Sequence, residues 1–269
     1  EKYKPTNIAW IGEIPEHWEL KKISHGFRKI GSGTTPTAGE QDYYFNGIYN
    51  WLQTGDLTDS EIYETSKKIT QKALDDYSSL KFYDVDSLVI AMYGATIGKT
   101  GILKIKSTTN QACCVLSQPI SFISKYAFYW FNAYKQIIIS LAYGGGQPNI
   151  SQEIIKGIRI HCPLSEEQTA IANYLDEKTE QIDNLISNKQ KLIELLIEER
   201  KAIINEKVTG KNKNWNIVKF NHYIRLRHGY QFMNYDFTTT GIKVIKITQL
   251  SAEGYLDLSD VTYIDGARL

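Results

Sequence analysis

The chain has 269 residues, 42% of them hydrophobic, with 31 basic and 30 acidic side chains and a formal net charge of +1. That is enough chain for one large or two modest domains with a real core. The near-neutral balance excludes nucleic-acid binding through bulk charge and leaves only local clusters, such as Lys21, Lys22, Arg28 and Lys29, then Lys99, Lys104 and Lys106, then Arg225 and Arg227.

In chain order, residues 1 to about 110 read as strands and turns. WELKKI (18–23) predicts a short strand after the turn signal Ile14-Pro15. GSGTTPT (31–37) predicts a loop whose glycines permit positive φ and whose proline stiffens it. YNWLQTGDL (49–57) reads as a strand running into a Thr-Gly-Asp turn. SLVIAMY (87–93) reads as a buried strand, GILKIK (101–106) as an alternating one and ACCVLS (112–117) as a third. SKYAFYWFNAYKQIIISLA (124–142) predicts a helix with Ser124 as N-cap, stopped by the glycines at 144–146. The turn QPNIS (147–151) and the strand GIRIHCP (157–163) follow.

At Ser165 the pattern changes. SEEQ (165–168) has the form of a capping box, and no Gly or Pro occurs from there to about Lys207. Leu175, Ile182, Lys189, Leu196 and Ile203 recur every seven residues, with Leu185, Ile186, Leu192 and Ile193 filling the other side of the stripe. A sustained seven-residue period predicts a coiled-coil seam, here on a rod of about 60 Å ended by Gly210, with Lys189 as a candidate register marker. Then the chain starts again: WNIVKF (215–220) echoes WELKKI, RLRHGYQF (225–232) sits where GSGTTPT sat, and IKVIKITQL (242–250) matches YNWLQTGDL. The echoes lie 193 to 197 positions apart, which predicts a duplicated domain rather than a solenoid unit.

SLVIAMYGATIGKTG (87–101) has the outline of a phosphate-cradling loop but fails its arithmetic. Tyr93 stands where the first glycine belongs, and the strand-like ILKIK follows where a helix should open. The turn is better suited to approach another backbone closely, such as a DNA phosphate. No apolar run reaches membrane-spanning length, and the N-terminus has no signal-peptide core. Cys113, Cys114 and Cys162 have neither metal nor disulfide-framework spacing, so a cytoplasmic protein with small buried thiols and no metal is expected.

IPEHWELKKI, GSGTTPT, WLQTGDL, VIAMYGATIGKTG, NQACCVL, GGGQPNIS and above all PLSEEQTAIANYLDEKTEQIDNLI, in this order and with the duplicated layout, resemble the specificity subunit of type I restriction-modification enzymes. The resemblance implies an α+β protein. It contains a β-rich target-recognition domain (1–164), a long coiled-coil-type spacer helix (165–209) and the start of a second target-recognition domain (210–269). Relative to the family pattern the second domain stops after about a third, the expectation for either a truncated or cut product or a natural partial subunit. Each recognition domain would read one half of a bipartite double-stranded DNA site, and the helices would set the spacing. The subunit would hold no cofactor and no catalytic residue; modification (methyltransferase) subunits docked on the helices would use S-adenosylmethionine, and a restriction subunit in the full complex would use ATP.

On this resemblance the candidate DNA contacts are Gly33, Thr34, Thr35 and Thr37 in the first loop and Thr54 in the Thr-Gly-Asp turn. Tyr93, Thr96 and Lys99 come from the glycine turn, Asn110 and Gln111 precede ACCVLS, and Gln147 and Asn149 follow the glycine triplet. Asn and Gln pair bidentately with adenine, Lys99 suits a phosphate, and the competing reading for Asn110 is side-chain-to-backbone bonding within its turn. Leu175, Ile182, Leu185, Leu192, Leu196 and Ile203 form the candidate partner seam, whether for the modification subunits or for a second copy in a homodimer. Two alternatives stay open: a coiled-coil scaffold that binds only protein, and a nucleotide hydrolase with a degenerate phosphate loop.

Overall fold

The computed structural model describes residues 2–142, 149–210, 213–252 and 254–266. The chain divides into two units, Glu1–Leu195 and Leu196–Leu269. In the first unit, β1 (Tyr3–Pro5) and β2 (Glu13–Pro15) form a hairpin. Next come β3 (Glu19–Lys22), the single turn α1 (Ile23–Gly26), β4 (Phe27–Gly31), α2 (Gln41–Tyr44), β5 (Tyr49–Leu52), β6 (Ser60–Ile62), β7 (Lys68–Ile69) and α3 (Gln71–Asp76). Then follow β8 (Leu88–Ala91), β9 (Thr100–Leu103), β10 (Thr108–Thr109), β11 (Cys113–Pro119), α4 (Ser124–Ala133), α5 (Lys135–Ser140), α6 (Gln152–Gly157), β12 (Arg159–Cys162) and α7 (Ser165–Thr209).

Five strands make the central sheet, in the order β4-β11-β8-β9-β6, antiparallel throughout except for the parallel β6–β9 pair. Successive strand residues point to opposite faces, and here both faces are buried. Leu88, Ile90, Ile102, Cys114 and Leu116 face a core layer built with α4, α6 and β12. Val89, Ala91, Leu103, Cys113 and Val115 face a second layer with Leu52, Leu57, Ile62 and Tyr83. The adjacent thiols thus part to opposite layers, and burial pushes that of Cys114 up to about 12. A smaller sheet, β10-β5-β7, packs Trp51 and Ile69 against Ala73 and Leu80, with Tyr43, Tyr44, Tyr49 and Tyr77 around them.

The structure corrects several local expectations. β9 does not alternate between core and solvent: all four of its residues are buried, because a core layer covers each face of the sheet, Ile102 meeting one and Leu103 the other. The helix expected over 124–142 breaks at Tyr134 into α4 and α5. Ser124 is not its N-cap; Ile123 holds that position, and the Ser124 hydroxyl is buried without a partner. The glycine triplet at 144–146 lies outside the described residues. Between the QPNIS turn and β12 stands a helix the sequence pattern did not suggest, α6, capped by the Ser151 hydroxyl accepting from Ile154 N (3.2 Å).

α7 runs 45 residues, about 67 Å at the helical rise. Its start differs from a Ser165–Gln168 capping box. Glu167 makes the reach-back, accepting the Leu164 N–H at 3.1 Å. The side chain of Gln168, only 1% exposed, is turned into the sheet domain instead. Its Nε2 donates to the carbonyls of Ser121 (2.9 Å) and Pro163 (3.0 Å), and its Oε1 accepts from Ile123 N (2.8 Å), where a cap for α4 was missing. Lys125 Nζ continues the clamp, lying 2.8 Å from Glu61 Oε1 in β6 and 3.1 Å from Asp176 Oδ1 in α7. Gly210 ends the helix in the left-handed region (φ 60°), as its position suggested.

The second unit contains β13 (Phe237–Thr238), β14 (Ile242–Val244) and β15 (Thr262–Ile264) in one antiparallel sheet. WNIVKF does not repeat the strand made by WELKKI; it is irregular up to the short 3-10 turn Phe220–His222. IKVIKITQL does repeat its counterpart. The 3-10 turn Ile247–Gln249 follows β14 as Thr54–Asp56 follows β5, and Lys246 N donates to Gln249 Oε1 (2.7 Å) as Gln53 N donates to Asp56 Oδ2 (2.9 Å).

Two outcomes follow. Gln168→Ala strands one buried N–H and two carbonyls, and lowers the unfolding free energy by about 2–4 kcal/mol, read from the urea midpoint. The hydrogen bond from Lys125, with a second from Tyr63, holds the Glu61 carboxyl at about 2. A depressed carboxylate stabilises the fold fully above its unfolded value and loses that contribution as pH falls towards 2. Glu61→Gln therefore weakens the fold at pH 7 and flattens the loss of stability below pH about 4.5 in acid titration followed by circular dichroism.

Candidate nucleic-acid interface

Strand register decides where the loops go. Val115 pairs with Gly31, Cys113 with Ala91, Ile90 with Thr100 and Gly101 with Ser60. The end of β4, the start of β11, the end of β8 and the starts of β9 and β6 therefore share one end of the sheet. β5 and β10 run parallel, with Trp51 opposite Thr108 and Leu52 opposite Thr109, so Gln53 and Asn110 emerge together. Loops 32–40, 53–59, 92–99 and 110–112 all gather there, and they carry nearly every candidate contact.

The loop after β4 is held from beneath. Gly33 N donates to Thr109 Oγ1 (3.0 Å), and a Cβ at Gly33 would stand 1.7 Å from the Thr109 carbonyl oxygen, so only glycine allows the approach. Trp51 Nε1 donates to Thr34 O (3.1 Å) and Tyr44 OH to Pro36 O (2.6 Å). Tyr77 OH accepts from Thr37 N (3.0 Å) and shares a 2.7 Å hydrogen bond with Thr37 Oγ1. Three aromatic side chains of the small β10-β5-β7 layer and its helices thus fix the shape of GSGTTPT. Trp51, Tyr44 and Tyr77 were not among the expected site residues; nothing in their local pattern distinguishes a ring that grips a loop from one that fills a core.

Thr35 is tied to Gln111, and Tyr93 to Asn149. Thr35 Oγ1 donates to Gln111 Oε1 (2.6 Å), and Tyr93 bridges Asn149 through the backbone. Burial raises the Tyr93 phenol above its ordinary range. Gln111 and Asn149 are exposed, so their amides face outward from a braced position. Asn110 takes the structural role: its Oδ1 accepts from Ala112 N (3.1 Å), and its backbone ties Gly33 N to Leu52 O. Thr54 and Thr96 are half-buried in 3-10 turns. Lys99 starts the return into β9 and has no ion-pair partner among the described residues. Gln147 lies outside the described residues. The turn at 94–99 opens no helix; it joins antiparallel β8 to β9, so it lacks the oriented helix terminus that a phosphate loop uses.

On α7, Leu175 is half-buried, whereas Ile182, Leu185, Leu192, Leu196 and Ile203 are 45–57% exposed. Among the described residues no group of three or more His, Cys, Asp and Glu could hold a metal ion, and no helix is long and apolar enough to cross a membrane.

A rigid two-faced sheet that gathers amide- and hydroxyl-bearing loops at one end, with a long helix rooted beside it, is the build of a recognition module. The family model described as the type I restriction modification DNA specificity domain matches residues 15–196, and the chain belongs to that family. It is 29% identical over 200 residues to the MjaIX specificity subunit of a type I restriction enzyme from Methanocaldococcus jannaschii, covering 72% of this chain and 44% of that protein. It is 26% identical over 263 residues to the MjaVIII specificity subunit from the same organism, covering 91% and 58%. The chain thus spans about half the length of these curated relatives. In fold it is similar to a chain from a structure concerned with complex assembly and conformational transition of the type I R-M system (TM-score 0.60, 18% identity, 75% of this chain and 47% of that one). It is also similar to the HsdS subunit from Thermoanaerobacter tengcongensis (TM-score 0.51, 17% identity, 68% and 41%).

Proposed function

We propose that this chain is a sequence-specific DNA-recognition component of a type I restriction-modification complex, without a catalytic centre of its own. Residues 1–164 read one half of a bipartite double-stranded site, 165–209 serve as spacer and docking helix for the modification subunits, and 210–269 begin a second recognition domain. Methyl transfer and ATP-driven work belong to the partner subunits, and the complex acts in the cytoplasm. One observation carries this reading: the braced pairs Thr35–Gln111 and Tyr93–Asn149 stand among the loops that a single sheet end collects. A protein-only scaffold needs the exposed stripe of α7 but has no use for fixed amides at the opposite end of the sheet from the helix root.

Assembled with its modification subunits, the chain should bind duplex DNA with a sequence preference and with affinity that falls steeply with salt. Lys99→Ala should weaken binding of all duplexes alike and reduce the slope of log K against log salt by about one, since a phosphate contact holds no base information. Sequence-independent binding, or none, would contradict this function.

The stripe on α7 supports a helical partner, either a modification subunit or a second copy packed antiparallel. Each fully buried Leu or Ile contributes about 1.5–3 kcal/mol, so the five exposed ones rival an association cost of roughly 4–15 kcal/mol. By light scattering at micromolar concentration the isolated chain should exceed monomer mass, and Leu192→Asp should return it to monomer. A monomer unaffected by that change excludes the homodimer.

A further inference from the structure

Of the candidate contacts above, only Thr35 lines a sizeable cleft at the recognition end of the sheet. Between the loop 35–39 and the edge strand β7 lies this cleft of about 620 Å³, with Trp51 and Tyr44 in its wall and Gln53, Lys67 and Lys68 lining it. It belongs to the same end as the reading loops: Trp51 lies near the end of β5, two residues before Gln53, and its backbone N–H donates to Lys67 O (3.2 Å) across the antiparallel β5–β7 pair. Its wall is rigid, because the Trp51 and Tyr44 side chains are committed to Thr34 O and Pro36 O.

Two ammonium-bearing side chains belong to its lining residues. Lys67 and Lys68 are exposed and neither has an ion-pair partner among the described residues. Elsewhere in the unit the ammonium groups of Lys104, Lys125 and Lys135 all meet carboxylates. Asp56, the acid of the turn after Gln53, has its oxygens occupied by the N–H groups of Gln53 (2.9 Å) and Ser66 (3.1 Å). Lys67 and Lys68 line the cleft together with Gln53, at the start of the edge strand β7. A ridge bearing regularly spaced negative charge is the outline of a sugar-phosphate backbone, and an amide beside it is the group that pairs bidentately with adenine.

We propose that this cleft seats the backbone of one DNA strand, with Lys67 and Lys68 on phosphates and Gln53 meeting a base edge. It rests on the recognition function above and adds the contacts that set the register of the duplex. The test uses the complete assembly with its modification subunits and duplexes carrying its preferred site. Lys67→Ala combined with Lys68→Ala should flatten the salt slope by about 1.8, two phosphate contacts at ~0.9 each, and leave base preference unchanged at every position. The charge-preserving Lys67→Arg with Lys68→Arg should restore binding, which a damaged fold would not permit. Gln53→Ala should keep the slope and relax discrimination at one base pair by about fivefold or more. If the wild-type assembly prefers its site while the double alanine variant keeps slope and affinity, the cleft is no backbone seat and the recognition function still stands. If the wild type shows no sequence preference, both fall together.

Discussion

Burial on both faces of the central sheet is the constraint from which the rest of the structure follows. A strand with one solvated face tolerates some looseness of pairing; β8 and β11 have none. Sliding β11 by one residue against β8 would send Cys113 and Val115 into the layer that holds Cys114 and Leu116, inverting every side chain at once. With register so pinned, Gly31, Ser60, Ala91, Thr100 and Cys113 come to one end together. The loops that follow those residues inherit a common place without any need to attract one another. Apolar packing thus sets the positions of groups whose work is polar.

The two ends of that sheet are chemically unlike. At the helix root the charges are spent on structure: Lys125 ties Glu61 to Asp176, Lys104 meets Glu61 and Asp86, and Gln168 meets three backbone groups. Such pairs hold α7 to the domain and leave little for a ligand. At the opposite end, the Trp51 indole N–H and the Tyr44 and Tyr77 hydroxyls brace the first loop, and the Lys135–Asp59 pair braces the start of β9. Lys67, Lys68, Lys99, Gln111 and Asn149 therefore keep their outward-facing chemistry.

Periodicity made much of this legible in the sequence. The strands 87–93 and 112–117, the long helix from Ser165 and its stop at Gly210 follow from local patterns that packing did not override. The loop contacts were legible only as residue types, and their sorting required tertiary distances. Asn110 and Gln111 are neighbours with similar side chains, yet the first closes its own turn onto Ala112 N while the second faces out beside Thr35. Gln168 shows the same limit. Its spacing from Ser165 matches a capping box, but the unsatisfied groups at Ser121 and Ile123, remote in sequence, compete for its amide and win. The cleft lysines had no signal at all, since a pair of lysines on an edge strand reads as a solvated face.

The recurring turn shows how one frame can present different chemistry. After β5, Gln53 N is held by Asp56; after β14, Lys246 N is held by Gln249. The backbone path and the closing leucines, Leu57 and Leu250, are retained. The reach-back has passed from a carboxylate to an amide, which also donates to Asp260 O (2.6 Å). The first position of the turn has changed from Gln53, lining the cleft, to Lys246, whose ammonium lies 4.4 Å from the Phe237 ring centroid. Because the turn is closed by a hydrogen bond that either Asp or Gln can make, its outward residue is free to vary without loss of the fold.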